Sequence, residues 1–555
     1  MTDTHQGHLQ PELVRRIGGA AAVIMAGVVL VSPIRGMPPD AQRLAALTVM
    51  MVILWVTQAL PIPVTSLLPL ALYPLLGIRA ISDVSRSYLD PSVFLFMGGF
   101  MIAIGIEKWD LHRRMALKIV GAIGFGPRRV VFGFMAATAF LSMWISNTAS
   151  TMLMLPIGLA LVSAIASELG LSHESAPQAG ATPGLSRLSR SLLLGIAYGA
   201  SIGGLSTPIG TPTNIAFLRF WNENTLFAGA PETATAEWMS VFLPLSVAML
   251  VVTGFLLTWK MPPLAGAQQL GRRFFRDRLE DLGPPSRQEV SVFCIFLATA
   301  ALWILRKPLS LGETTLVPGW GPVLTTWLTD SLGVSEHVAG GAAHDAVVAM
   351  SMAILMFCLP AGRDATGQPR RLMDWETVES RMPWGMLLLI GGGFAVAEAF
   401  DSTGLSQWVG TGFQESFRDA RLLWLIVGIC LLSTFLTEMT TNVVLVNTLL
   451  PILAAAAISL RLDPRLLLIP ATVSASCAFM LPIATPPNVI VFSTGRLSMR
   501  DMMRVGLILN LVGVVLVTTA TFTLLVPGFE ISLDAPPDWL PPANALPDSG
   551  QLFEQ

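Results

Sequence analysis

The segment WISNTASTMLMLPI, which begins at Trp144, sets Ser146, Asn147 and Thr148 inside an otherwise apolar run. Left without partners in hydrocarbon, such groups would cost roughly 2–7 kcal/mol each. A second apolar stretch, 422–458, is interrupted midway by the polar sequence from Thr437 to Asn442. Two further polar turns, GTPTN at 210–214 and ATPPN at 484–488, carry prolines that break a helix and free carbonyls. Where helices end inside a membrane, unpaired N–H groups and a positive dipole end suit an anion, with Ser, Thr and Asn as directional donors. Unwound carbonyls and side-chain oxygens nearby suit a hard cation such as sodium.

The surrounding chain must position these groups in a bilayer. Of 555 residues, 53% are hydrophobic and 13% charged, and mean hydropathy is +0.65. Soluble chains carry about 25% charged residues, so the composition is that of a polytopic membrane protein. A net charge of −2 argues against a nucleic-acid partner. Cys294, Cys358, Cys430 and Cys477 have no metal-ligand or redox spacing, and the histidines form no HExxH-type cluster. No P-loop pattern is present, and no catalytic constellation stands out.

Hydrophobic runs predict an all-α architecture. A first helix near 17–31 is followed by spans near 43–60, 63–77, 92–107, 191–221, 240–259, 290–305, 345–360, 384–400, 466–495 and 504–527, eleven in all. Segments 130–165 and 422–458 are expected to be re-entrant hairpins. Arg15-Arg16, EKWDLHRRMALK, GRRFFRDR, GQPRR and RLSMRDMMR fall on one side under this scheme, placing the N-terminus in the cytoplasm and the tail outside. Arg421, Arg461 and Arg465 land on the other side, against the rule.

The chain also repeats itself. Gly98-Gly99-Phe100 aligns with Gly392-Gly393-Phe394, Asn147 and Asn442 precede a Leu-Pro-Ile by the same distance, and GTPTNIAF echoes ATPPNVIVF. The order is the same in both halves, and an odd number of spans inverts the second copy. Inverted repeats with interrupted helices mark a secondary transporter with its site at the repeat interface. The expected units are 1–42 (tail and first helix), 43–260 (first repeat), 261–289 (cytoplasmic linker), 290–527 (second repeat) and 528–555 (outer tail). Residues 130–167, 191–218 and 466–495 contain no Asp, Glu, Lys or Arg, and 422–460 contains only Glu438. A bound anion would therefore rely on dipoles and co-bound cations for neutralisation, which couples the two energetically.

At these residues the sequence resembles the divalent anion/sodium symporter family, which includes sodium/dicarboxylate, sodium/citrate and sodium/sulfate cotransporters. The marks are GGFMIAIGIEKWDLHRR, the Ser146-Asn147-Thr148 tip and the two Thr-Pro-x-Asn turns. The resemblance implies a homodimer in which a mobile transport domain carries the site past a scaffold, like an elevator. It implies one sodium site at Ser142, Ser146, Asn147 and the Gly210 carbonyl, and another at Thr437, Thr440, Asn442 and Ala484. Substrate carboxylates would meet Ser146, Asn147, Thr148, Thr441, Asn442, Val443, Thr485 and Pro486. This chain departs from the family at the second tip, where Val443 replaces a threonine and removes a donor, and at Thr213, where a second proline is usual. The expectation is sodium-driven import of C4-dicarboxylates such as succinate, malate or fumarate across a bacterial inner membrane. Sulfate or tricarboxylate symport and sodium-independent dicarboxylate exchange stay open, whereas a membrane enzyme or sensor would need a catalytic pair or an appended domain.

Overall fold

In the computed structural model, residues 11–168, 183–223, 227, 229–262, 267–311, 314–363, 367–417, 420–533 and 535–540 are described. The expected tail beyond 540 and the first ten residues lie outside them. Among the described residues the regular structure is helical apart from two small antiparallel strand pairs, Leu309–Leu311 with Thr314–Val317 and Pro360–Arg363 with Pro369–Arg371. Both interruptions foreseen as hairpins are hairpins. The first has arms Pro127–Ser142 and Asn147–Glu168, the second Leu422–Leu436 and Asn442–Ser459. Arms of 22 and 18 residues reach roughly 33 and 27 Å, so the second arm of each is itself long enough to cross a bilayer.

Among the described residues, eight helices are long and apolar enough to cross a membrane, or nine if the bent pair Glu336–Ala342 and Asp345–Cys358 is one span. Three expected spans are instead broken helices. Span 63–77 divides into Ile62–Ser66 and Leu68–Leu75. Span 191–221 divides into Pro183–Gly204 and Pro212–Glu223, and 466–495 into Arg465–Ala475 and Pro486–Phe492. Proline is the cause in the last two: Pro212 and Pro486 each open the second piece at a position where a missing N–H costs nothing. The intervening residues, 205–211 and 476–485, form two loops, the second containing a three-ten turn at Pro482–Ala484.

Packing gathers these elements into one larger body and smaller clusters, with Ile215, Val443 and Val444 from the larger body's helices packed in the smaller clusters. The largest apolar core draws almost entirely on both hairpins, both broken helices, Thr235–Thr258 and Met499–Ala520. Smaller cores gather Pro39–Thr57, Pro91–Lys108, Arg287–Ile304, Asp345–Cys358 and Trp384–Ser402. Within the larger body, Gly195, Gly199 and Gly203 line one face of Pro183–Gly204 and let its backbone touch that of the first hairpin arm. A Cβ at Gly203 would stand 2.2 Å from the Ala139 carbonyl oxygen, and one at Gly199 2.8 Å from that of Met135. Small residues every fourth position are how membrane helices gain close van der Waals contact.

One of the three arginines that run against the charge rule is held in a buried pair. Arg465 is buried and pairs with Asp463 through Nη2 at 2.7 Å, donates to the Phe529 carbonyl, and lies 5.2 Å from the Trp221 ring centre. A neutralised arginine contributes little to the charge bias that orients spans. Replacing Gly203 with alanine should force the two backbones apart and lower stability by about 1–3 kcal/mol, the usual cost of overpacking. Thermal unfolding of the detergent-purified variant reads this, and an unchanged midpoint would contradict the close approach.

Candidate functional site

The broken helices expose carbonyls that a helix would have satisfied, and one asparagine in each turn ties them back. Asn214 Nδ2 donates to the carbonyls of Gly204 (3.1 Å), Leu205 (3.3 Å) and Thr207 (2.8 Å). Asn488 Nδ2 donates to those of Ala478 and Leu481, both at 3.1 Å. The carbonyls held lie ten and seven residues before the asparagine in both repeats. Both asparagines are fully buried. Neither was singled out from sequence as a site residue, although each closes its Thr-Pro-x-Asn motif.

Each loop is also fastened to the tip of its own hairpin, by bonds of opposite polarity. Thr207 Oγ1 donates to the Met143 carbonyl in the first repeat. In the second, Leu481 N donates to Glu438 Oε2 at 2.8 Å, with Met480 N on Oε1 at 2.8 Å. Asn510 Nδ2 adds a third bond to Glu438 at 2.8 Å. Glu438, 3% exposed, is thus a carboxylate clamp on the second loop.

At the first tip, Ser146 caps the second arm by accepting from Ala149 N at 3.2 Å. Ser142 Oγ lies 2.5 Å from the inward end of the Asn147 carboxamide. The same end of that carboxamide lies 3.2 Å from the Gly210 carbonyl oxygen and 3.3 Å from that of Ala200. With its nitrogen inward, Asn147 bridges these carbonyls. With its oxygen inward, four oxygens converge and the two side chains bring them a single proton. The orientation of a carboxamide follows from its partners, so a cation at this point would select the oxygen. The expected ligands Ser142, Asn147 and Gly210 therefore meet, and Ala200 joins them.

The second tip repeats the arrangement. The Thr437 hydroxyl faces two acceptors, Asn442 Oδ1 at 2.9 Å and the Ala475 carbonyl at 2.7 Å, with one proton for both. Ala484 is buried in the three-ten turn. Among the described residues, the buried hydroxyl oxygens of Thr440, Thr441 and Thr485 have no hydrogen-bond partner. Thr441 precedes the helix Asn442–Ser459 without capping it through its side chain. Thr148 is half-buried beside Asn147, and Pro486 is exposed at the start of its helix. Val443 packs into an apolar cluster with Leu389, Ala395 and Val396 and contributes a wall without a donor.

The region carries little positive charge. Arg219, in the helix that follows the first loop, is buried, pairs with Asp90 at 2.9 Å and with Glu398, and stacks 4.1 Å from the Phe394 ring centre. Asp90 in turn caps Pro91–Lys108 through Ser92 N.

Two proline-opened broken helices meeting two hairpin tips, in two inverted repeats, define a secondary transporter of the membrane. The family described as the sodium:sulfate symporter transmembrane region matches residues 15–526, and the chain belongs to it. It is similar to the sodium-dependent dicarboxylate transporter SdcS of Staphylococcus saprophyticus, 35% identical over 497 residues covering 88% of this chain and 87% of the relative. The SdcS of Staphylococcus aureus strain USA300 is 34% identical over 498 residues, 88% of each chain. The solved structure of Neisseria gonorrhoeae MtrF, described as illuminating a class of antimetabolite efflux pumps, shares the fold at TM-score 0.51 and 12% identity, covering 96% of this chain and 97% of that one.

Glu438→Gln keeps the shape of the clamp but sets an amide NH2 against a backbone N–H. It should cost on the order of 1–3 kcal/mol, read as a lower unfolding midpoint of the purified protein. A midpoint equal to wild type would mean the carboxylate does not hold the loop.

Proposed function

We propose that the chain is a sodium-coupled symporter importing C4-dicarboxylates such as succinate, malate and fumarate. The observation that carries this reading is the convergence of hydroxyl, carboxamide and carbonyl groups at two corresponding places, one beside each hairpin tip. One comprises Ser142, Asn147, Gly210 and Ala200; the other comprises Thr437, Asn442 and Ala475. Oxygen sets of this kind suit sodium, and the expected ligands Ser146, Thr440 and Ala484 would complete them. Thr440 adds a hydroxyl with no partner in the protein. The relatives named for sodium-dependent dicarboxylate transport support both ligands.

The anion would lie between the tips, where two helices begin at Asn147 and Asn442 and direct their positive ends inward. Ser146, Asn147 and Thr148 would face one carboxylate, and Thr441, Asn442 and Thr485 the other, with Val443 and Pro486 as apolar walls. Four carboxylate oxygens spaced by a short chain match donors on two opposed tips better than a compact tetrahedral anion does. Because the surrounding segments carry no unpaired base, bound sodium supplies the compensating charge, and anion affinity then depends on the cation by linkage.

The gathering of both hairpins and the two proline-opened broken helices around one large core supports an elevator, in which that body moves against the remaining helices. The reading extends to a homodimer in a bacterial inner membrane, with the N-terminus cytoplasmic and the C-terminus outside. Reconstituted protein should take up labelled succinate down a sodium gradient and lose that uptake when choline replaces sodium. Asn147→Ala and Asn442→Ala should each abolish it. Uptake at the wild-type rate in choline, or in either variant, would contradict the proposal.

A further inference from the structure

Thr213 stands where a second proline is usual, and its hydroxyl makes a contact that proline could not make. Thr213 Oγ1 lies 2.8 Å from Ser476 Oγ, with both residues buried. Thr213 belongs to the first repeat, three residues past Gly210, whose carbonyl meets Asn147. Ser476 belongs to the second repeat and follows Ala475, whose carbonyl meets Thr437. A third hydroxyl, Thr211 Oγ1, sits 3.3 Å from Thr213 Oγ1. A line of bonds therefore runs from the peptide that supplies the first cluster to the one that supplies the second. It passes through Thr211, Thr213 and Ser476, then along the backbone to Ala475, Thr437 and Asn442.

We propose that the Thr213–Ser476 hydroxyl bridge couples the two cation sites, so that filling one orders the backbone ligand of the other. The inference rests on the sodium reading above. Its physical basis is that each loop supplies ligands through carbonyls whose direction changes with the peptide plane. Both peptide planes lie within a few covalent bonds of the bridge. A cation that fixes the Gly210 carbonyl also fixes the start of the helix at Pro212, hence Thr213, hence Ser476 and the carbonyl before it. Each ion then lowers the ordering cost for the other, which is positive cooperativity. Thr213 is a positioning residue in this scheme and touches neither ion nor anion.

The test is a double-mutant cycle read by sodium titration of succinate binding to purified full-length protein. Thr213→Val and Ser476→Ala should each lower the Hill coefficient for sodium towards one and raise half-saturating sodium by about fivefold, the effect of one lost buried hydrogen bond. The double variant should be no worse than either single, because both remove the same bond. Thr213→Ser keeps the hydroxyl and should restore cooperative binding, which separates the bridge from general loosening of the turn. Unchanged cooperativity in Thr213→Val, or additive losses in the double variant, would overturn the bridge while leaving two sodium sites standing. Binding that ignores sodium in the wild type would instead overturn the sodium reading, and the bridge with it.

Discussion

Two carboxamides hold this structure's site open. A helix broken in the middle of a membrane protein leaves carbonyls that no water reaches, and each must be satisfied or used. Asn214 and Asn488 satisfy some of them from within the same turn, drawing the loop back so that the remaining carbonyls, at Ala200, Gly210 and Ala475, face the hairpin tips. Without these ties the loops would have no fixed course, and the carbonyls would have no common point to face. The prolines start the second helix, but the asparagines decide where the broken ends go.

From that constraint the rest of the arrangement follows. A loop fixed in course still needs a fixed height against its hairpin, and each repeat supplies it with different chemistry at corresponding positions. Thr207 reaches the tip backbone in the first, and Glu438 reaches the loop backbone in the second. The sole ionisable residue of the second hairpin is thereby spent on structure. The consequence for chemistry is a site of hydroxyls, amides and carbonyls with no charge of its own. Such a site binds an anion well only in company with cations, so a structural economy becomes a coupling mechanism.

Much of this was legible in the sequence because polar residues stand out against apolar surroundings. The hairpin tips and both Thr-Pro-x-Asn turns follow from residue type and repetition, whereas the grouping of Ser142, Asn147 and Gly210 came from the family resemblance. The backbone ligands Ala200 and Ala475 were not legible, since every residue carries a carbonyl and only the fold aims one. The exact breaks within 191–221 and 466–495 were not legible, because hydropathy cannot distinguish one long helix from two short ones bent around a proline loop. Arg465 violated the charge rule on paper because its partner Asp463, two residues away, could not be recognised as a buried ion pair before burial was known.

The account stands on cations occupying the two oxygen clusters. The direct measurement is equilibrium binding of radioactive sodium to the purified protein in the presence of succinate, for wild type and for variants that disable one cluster at a time. Wild type should retain at least one ion per cluster, and both Asn147→Ala and Asn442→Ala should reduce the retained sodium. Wild-type protein that binds succinate while retaining no sodium would contradict the account.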